Sequence, residues 1–138
     1  KNLNAAKLDD STEVVISPPA IYLALTRELA DPKIGVAAQN VYDKPNGAFT
    51  GEISVEQLRD ANINWVVIGH SERRVILKES DDDAYPAVLE TPFIRKHYSR
   101  MKHQLTAIPI FIARKTKAAI EGGVSVIFCI GETLEVRH

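Results

Sequence analysis

The sequence predicts an α/β fold with about four parallel strands and their connecting helices. Four short apolar runs, at 13–16, 34–38, 64–69 and 124–130, alternate with segments of helical character. Each run is continuously apolar rather than alternating, as expected of parallel strands covered on both faces. The repeated strand–helix–strand order implies right-handed crossovers. Periodicity alone leaves open whether such a sheet closes into a barrel or stays open and doubly wound.

The elements follow in order. Residues 2–8 resemble the tail of a helix that began earlier. Glu13 to Ile16 forms the first strand and is stopped by Ser17-Pro18-Pro19, because proline cannot sit inside a strand or helix. Ala20 to Leu29 is helical, with Ile21, Leu23, Leu25 and Leu29 among good helix formers, and Asp31-Pro32 ends it. Ile34 to Ala38 is the second strand. Tyr42 to Ser54, rich in Gly, Pro, Asn and Asp, is a long loop. Ser54 and Gln57, three apart, form a capping box that opens a helix reaching about Ala61. Asn64 to Gly69 is the third strand. Ile112 to Gly122 is helical and capped by Gly122-Gly123, and Val124 to Ile130 is the fourth strand.

Bulk properties exclude several classes. The chain has 138 residues, enough for one modest domain. Seventeen basic residues nearly cancel eighteen acidic ones, so nothing points to nucleic acid or an anionic membrane as partner. No apolar run approaches the roughly 20 residues of a membrane span. The first ten residues, KNLNAAKLDD, lack the apolar core of a secretory signal and an initiator Met, and read as a cut end. The one cysteine, Cys129, has no internal partner for a disulfide, which fits a reducing compartment.

The most informative stretch is Trp65 to Arg74, WVVIGHSERR. An apolar strand ends in Gly69. His70 follows, and Ser71 and Glu72 read as the start of a helix. An imidazole at a strand tip, facing the positive end of a helix, is disfavoured as a cation. Such a histidine suits work in its neutral form, donating a hydrogen bond to a polarised substrate oxygen. On the residues alone, Ser71 also reads as a cap and Glu72 as a partner for the helix dipole, while Arg74 reads as a solvated helix charge. His97 and His103 lack the spacing of helical metal ligands, so no metal is assigned.

WVVIGHSERR closely resembles the fourth-strand segment of the triosephosphate isomerase family. Ala37-Ala38-Gln39-Asn40 and Asn46 to Ser54 resemble that family's third strand and third loop, and Ser125 to Glu132 resembles its fifth strand. The likeness covers residues 1–82 and about 111–135, in family order. It implies an incomplete (β/α)₈ TIM barrel, roughly strands two to five. A whole barrel of this type takes about 250 residues. The resemblance also implies a cofactor-free isomerase acting on a triose phosphate in glycolysis and gluconeogenesis, as a cytoplasmic homodimer. The neutral histidine electrophile is the family's well-known role and reaches His70 through the resemblance. Glu72 is implied near the active site, and Cys129 near the catalytic base. Thr50, Gly51 and Glu52 match the loop that enters the partner subunit, and Arg73 the ion pair that receives it.

The expected partner groups have no counterpart here. The family's first strand supplies an Asn and a Lys, and a later segment reading roughly AYEPVWAIGTG carries the catalytic glutamate. The phosphate-binding glycine loops after strands seven and eight are missing as well. The chain alone is therefore expected to be inactive, with a non-catalytic association fragment as the alternative.

Residues 83–110 interrupt the family pattern. The expected domain is thus a partial barrel over 1–138 with a non-family insert at 83–110. At 28 residues, or 84 nucleotides, that insert has the length of a short intron translated in frame, and Val136-Arg137-His138 fits read-through at a splice site. A genuine surface insertion is the competing explanation.

Overall fold

The computed structural model describes residues 3–9, 11–77, 79 and 110–129. Strands β1 (Val15–Ile16), β2 (Gly35–Ala38), β3 (Trp65–Ile68) and β4 (Ser125–Phe128) form one parallel sheet in chain order. Between them run helices α1 (Leu23–Leu29), α2 (Val55–Asp60), α3 (Ser71–Val75) and α4 (Ile110–Glu121), with a 3₁₀ turn at Ala20–Tyr22 leading into α1. This is an incomplete α/β fold of the kind a barrel segment forms.

Register decides which residues meet. Ile16 pairs with Val36, Ala38 with Val66, Val66 with Val126 and Ile68 with Phe128. These side chains share one face and join the main core with Leu58, Ile112 and Ala119 from the helices and Ile63 from the link before β3. On the opposite face Trp65, Val67 and Ile127 are only half-buried. Ala37 on that same face is buried, so among the described residues the expected cover on both faces is partial. In a closed barrel the second face points inward, and four strands cannot enclose an interior.

The strands are shorter than their apolar runs. The run at 13–16 shrinks to two residues, Val15–Ile16, which pair with β2. The expected helix tail at 2–8 is absent among the described residues. Residues 3–6 make a turn, with Ala6 N–H bonded to Leu3 O, and the Asn4 side chain ties it to Leu29 O and Asp31 N. So short a segment cannot meet the cost of helix nucleation without packing support.

Local signals at the helix ends are realised in detail. The Ser54 hydroxyl accepts from Gln57 N–H at 3.2 Å, and the Gln57 side chain accepts from Ser54 N–H at 2.8 Å, completing the capping box of α2. Because Ser54 is buried, Ser54→Ala is expected to cost about 1 kcal/mol. An unchanged urea midpoint would refute that. Helix α1 ends where Asp31-Pro32 demands, and the Arg27 guanidinium gathers the carbonyls of Ile34, Ala30 and Asp31 around its end. At the end of α4, Gly123 N–H bonds to Ile120 O and Val124 N–H to Ala119 O, a Schellman pair that places Gly123 at φ +74°. A Cβ on Gly122 would lie 2.2 Å from Val55 Cγ1, so α2 and α4 pack there through the missing side chain. Helix α4 starts at Ile110, two residues before the expected position, and so draws its first residue from the proposed insert. The rest of 83–110, with Asp81 to Asp83, His97, His103 and the tail from Val136, lies outside the described residues.

Candidate active site

All four strands run the same way, so their C-terminal ends share one rim. Ser17 follows β1, Gln39 follows β2, His70 follows β3 and Cys129 follows β4. Parallel α/β sheets place their ligand sites at such a rim. A cleft of about 510 Å³ opens there, lined by Ser17, Gln39, Val67, His70, Glu72 and Arg73, with Ile76 and Leu77 as an apolar wall.

The turn into this cleft depends on Gly69. Its φ is +79°, and a Cβ would stand 3.3 Å from Cys129 O and 3.4 Å from Ile112 Cγ2. Glycine lets β3 turn sharply while the chain packs against β4 and α4. His70 then becomes the N-cap of α3: its Nδ1 accepts a long hydrogen bond, 3.4 Å, from Glu72 N–H. Ser71 is the first helical residue rather than the cap, a correction to the reading from sequence. The imidazole has taken the capping role because its ring nitrogen reaches the second amide.

With Nδ1 accepting, the neutral imidazole carries its proton on Nε2, where it can be donated. Helix α3 has five residues, so the direct N–H contact matters more here than a macrodipole. The ring's side chain is 47% exposed, and Glu72 Oε2 lies 3.5 Å from Nδ1.

Behind the cleft lies a charged cluster that the sequence reading missed. The Lys115 side chain is 1% exposed, and its Nζ donates to Glu79 Oε1 at 2.7 Å and Asn40 Oδ1 at 2.9 Å. It also sits 4.2 Å from the centre of the Phe111 ring. Arg73 donates through both Nε and a terminal nitrogen to the same Glu79 oxygen. Burial pushes the Glu79 carboxyl upward, but the hydrogen bonds from Arg73 and Lys115 outweigh it and hold the group below its ordinary range. Burial pulls Lys115 down, opposed by Glu79. The cluster joins the end of β2, α4 and the segment after α3, and so braces the helix that carries His70. A signal for it existed: Ile112, Lys115, Thr116 and Ala119 share one helical face, and all four are buried.

The remaining nominated residues are scattered. Cys129 is half-buried beside the rim but does not line the cleft. Burial pushes its thiol up, with Arg74 opposing, which favours an inert protonated group. Arg74 is itself half-buried, not the solvated charge expected. Thr50, Gly51 and Glu52 are exposed on the long loop, away from the cleft-lining residues. That loop folds on itself: Glu52 N–H bonds to Phe49 O, and the Phe49 ring lies 4.9 Å from Tyr42. Phe49 stays 40% exposed. Among the described residues no cluster of His, Cys, Asp and Glu could hold a metal ion, and no helix is long and apolar enough to cross a membrane.

Comparison with known proteins agrees with this arrangement. Residues 1–90, well over half the chain, match the family model described as triosephosphate isomerase. The chain belongs to the triosephosphate isomerase family. A relative named triosephosphate isomerase from Emericella nidulans is 61% identical over 138 residues, covering 100% of this chain and 44% of the relative. The Aspergillus oryzae relative of the same name is 58% identical over 140 residues, covering 100% of this chain and 45% of its own length. The Neurospora crassa protein is 47% identical, covering 99% of this chain and 44% of its own length. The chain thus spans less than half the length of these triosephosphate isomerases.

Proposed function

We propose that this chain is the histidine-bearing part of an enzyme that interconverts dihydroxyacetone phosphate and glyceraldehyde 3-phosphate in glycolysis and gluconeogenesis. The observation that carries this reading is His70 itself. It stands at the strand rim of a family member and lines the cleft, with Nδ1 beside the Glu72 N–H. Moving a proton between adjacent carbons creates an enediolate, and a neutral N–H donor aimed at its oxygens lowers that barrier. Glu72, on the same cleft, is a supporting carboxylate. No cofactor is needed for such a reaction.

The reaction also needs a base and a phosphate site. Glu72 is the carboxylate among the cleft-lining residues, and its tether to the first turn of α3 keeps it beside Nδ1 rather than across the cleft from Nε2. The isolated chain is therefore expected to show no turnover above buffer in a coupled assay with either triose phosphate. Turnover comparable to the full-length relatives would overturn this.

The family's homodimer extends the same reading. Thr50, Gly51 and Glu52, exposed at the loop tip, are suited to enter a partner's cleft, where Ile76 and Leu77 offer an apolar wall. Arg73 is the candidate receiving group, although Glu79 holds it within the chain. A cytoplasmic setting follows from the glycolytic role. Residues 83–110 are taken as an insert foreign to the family. Support comes from the family-model match, which stops inside the segment, at residue 90. Sequencing the genomic locus tests whether this segment is a translated intron; absence of splice signals around it would end that idea.

A second reading, a non-catalytic association fragment, is favoured by apolar surface left open on α1.

A further inference from the structure

We infer that the ion pair between Asp43 and Arg114 aims the loop from Tyr42 to Ser54 at its partner, so that both are positioning residues for contact between two copies of the chain. This deepens the homodimer reading above and rests on it.

The loop is closed at its base, where Tyr42 N–H donates to Ile53 O at 2.8 Å. Beyond that bond residues 44–52 are exposed, so whatever aims them acts near the base. Asp43 stands there. Its side chain is 2% exposed, and the Nε of Arg114, on α4, lies 2.9 Å from its Oδ2. Neither carboxylate oxygen has a hydrogen-bond partner among the described residues. The Arg114 charge is therefore the compensation that lets this carboxylate stay buried. Without it, Asp43 gains by turning out to water, and the base of the loop turns with it. Arg114 is itself held in place. Its guanidinium carbon sits 5.7 Å from the centre of the Phe111 ring. That ring meets Tyr42 edge-on at 6.2 Å, and Tyr42 meets Phe49 at 4.9 Å. A run of contacts thus leads from α4 to Phe49, the residue before Thr50. The Arg114 side chain is half exposed, so filling the core does not account for it. A loop aimed in advance loses less freedom when two copies associate, and the dimer is tighter for it.

The test compares Arg114→Met, which keeps the side-chain stem and helix propensity but not the charge, with Arg114→Lys, which keeps the charge. Amide exchange is read on the chain itself. The Tyr42 and Glu52 N–H groups, both hydrogen-bonded within the loop, should exchange roughly 10-fold faster in Arg114→Met and at the parent rate in Arg114→Lys. The Gly122 amide at the end of α4, bonded to Ala118 O, should not change in either. Dimer dissociation is read by sedimentation in the Emericella nidulans relative carrying residues 3–77 and 110–129 of this chain in place of its matching segments. Its dissociation constant should rise roughly 10-fold with Arg114→Met and stay within about 3-fold with Arg114→Lys. Loop amides indifferent to Arg114→Met would overturn the proposal. So would a dimer that holds although the loop has loosened. Equal damage from Arg114→Lys and Arg114→Met would overturn it too, by removing the charge from the explanation. An unsubstituted chimera that stays monomeric sinks the homodimer reading and the proposal together. A dimer indifferent to Arg114→Met sinks the positioning role alone.

Discussion

Replacing Glu79 by alanine should destabilise the fold by about 3–5 kcal/mol, the usual cost of breaking a buried ion pair from one side. Lys115 would keep its ammonium buried with only the Asn40 side-chain oxygen and the Phe111 ring as partners. Arg73, 27% exposed at its side chain, can turn to water, but Lys115 at 1% cannot. Since small domains hold together by about 5–15 kcal/mol, the variant should be largely unfolded in mild urea. A double replacement, Glu79→Leu with Lys115→Met, should recover most of the loss, because removing both charges removes the desolvation cost as well. An unchanged midpoint for Glu79→Ala would refute the bracing role.

The same cluster gives a pH dependence whose sign is determined. The folded-state value of Glu79 lies below its ordinary 4.5. As acid is added, the unfolded chain therefore takes up this proton first. The stability that Glu79 confers is complete above about 4.5 and disappears as pH falls through the lower, folded value. Unfolding midpoints followed into acid should drop more steeply for the parent chain than for Glu79→Gln. Parallel curves would contradict the assignment.

The largest effect on activity should come from His70→Asn, made in the Emericella nidulans relative after residues 3–77 of this chain replace its matching segment. Asparagine can still accept the Glu72 N–H and cap α3, but its side chain is too short to place a donor where Nε2–H stood. The turnover number should fall by roughly 10²–10³, the usual loss on removing one donor to a developing oxyanion. KM should change little, because the lost interaction strengthens only in the transition state. A turnover number close to that of the unsubstituted chimera would remove His70 from the chemistry. A large rise in KM at constant turnover would assign it to ground-state binding instead.

Much of the architecture was legible because it rests on local chemistry. Apolar runs of four to seven residues located the four strands among the described residues. Ser54 with Gln57, Asp31-Pro32 and Gly122-Gly123 announced helix ends through groups that act within a turn of their own position. His70 stood out because glycine, histidine and a helix start lie in immediate succession, so the strand-tip geometry is encoded by neighbours. What the residues alone left open, barrel or open sheet, yielded only to resemblance, since both closures use the same strands.

Other features depended on distant groups coming together. Ser71 looked like the cap, but the decision belonged to His70, whose ring reaches the Glu72 amide only once Gly69 has turned the chain against β4. Lys115, Glu79 and Asn40 are as much as 75 residues apart, and the buried face of α4 that carries Lys115 names neither of its partners. Whether a sheet face is covered depends on which distant segments pack against it. A single sequence therefore determined where strands and helices lie and which histidine sits at a strand tip, because backbone sterics and short-range hydrogen bonds decide those. Only the tertiary structure determined which charge is buried and which apolar faces stay open, because those are set by contacts between segments far apart along the chain.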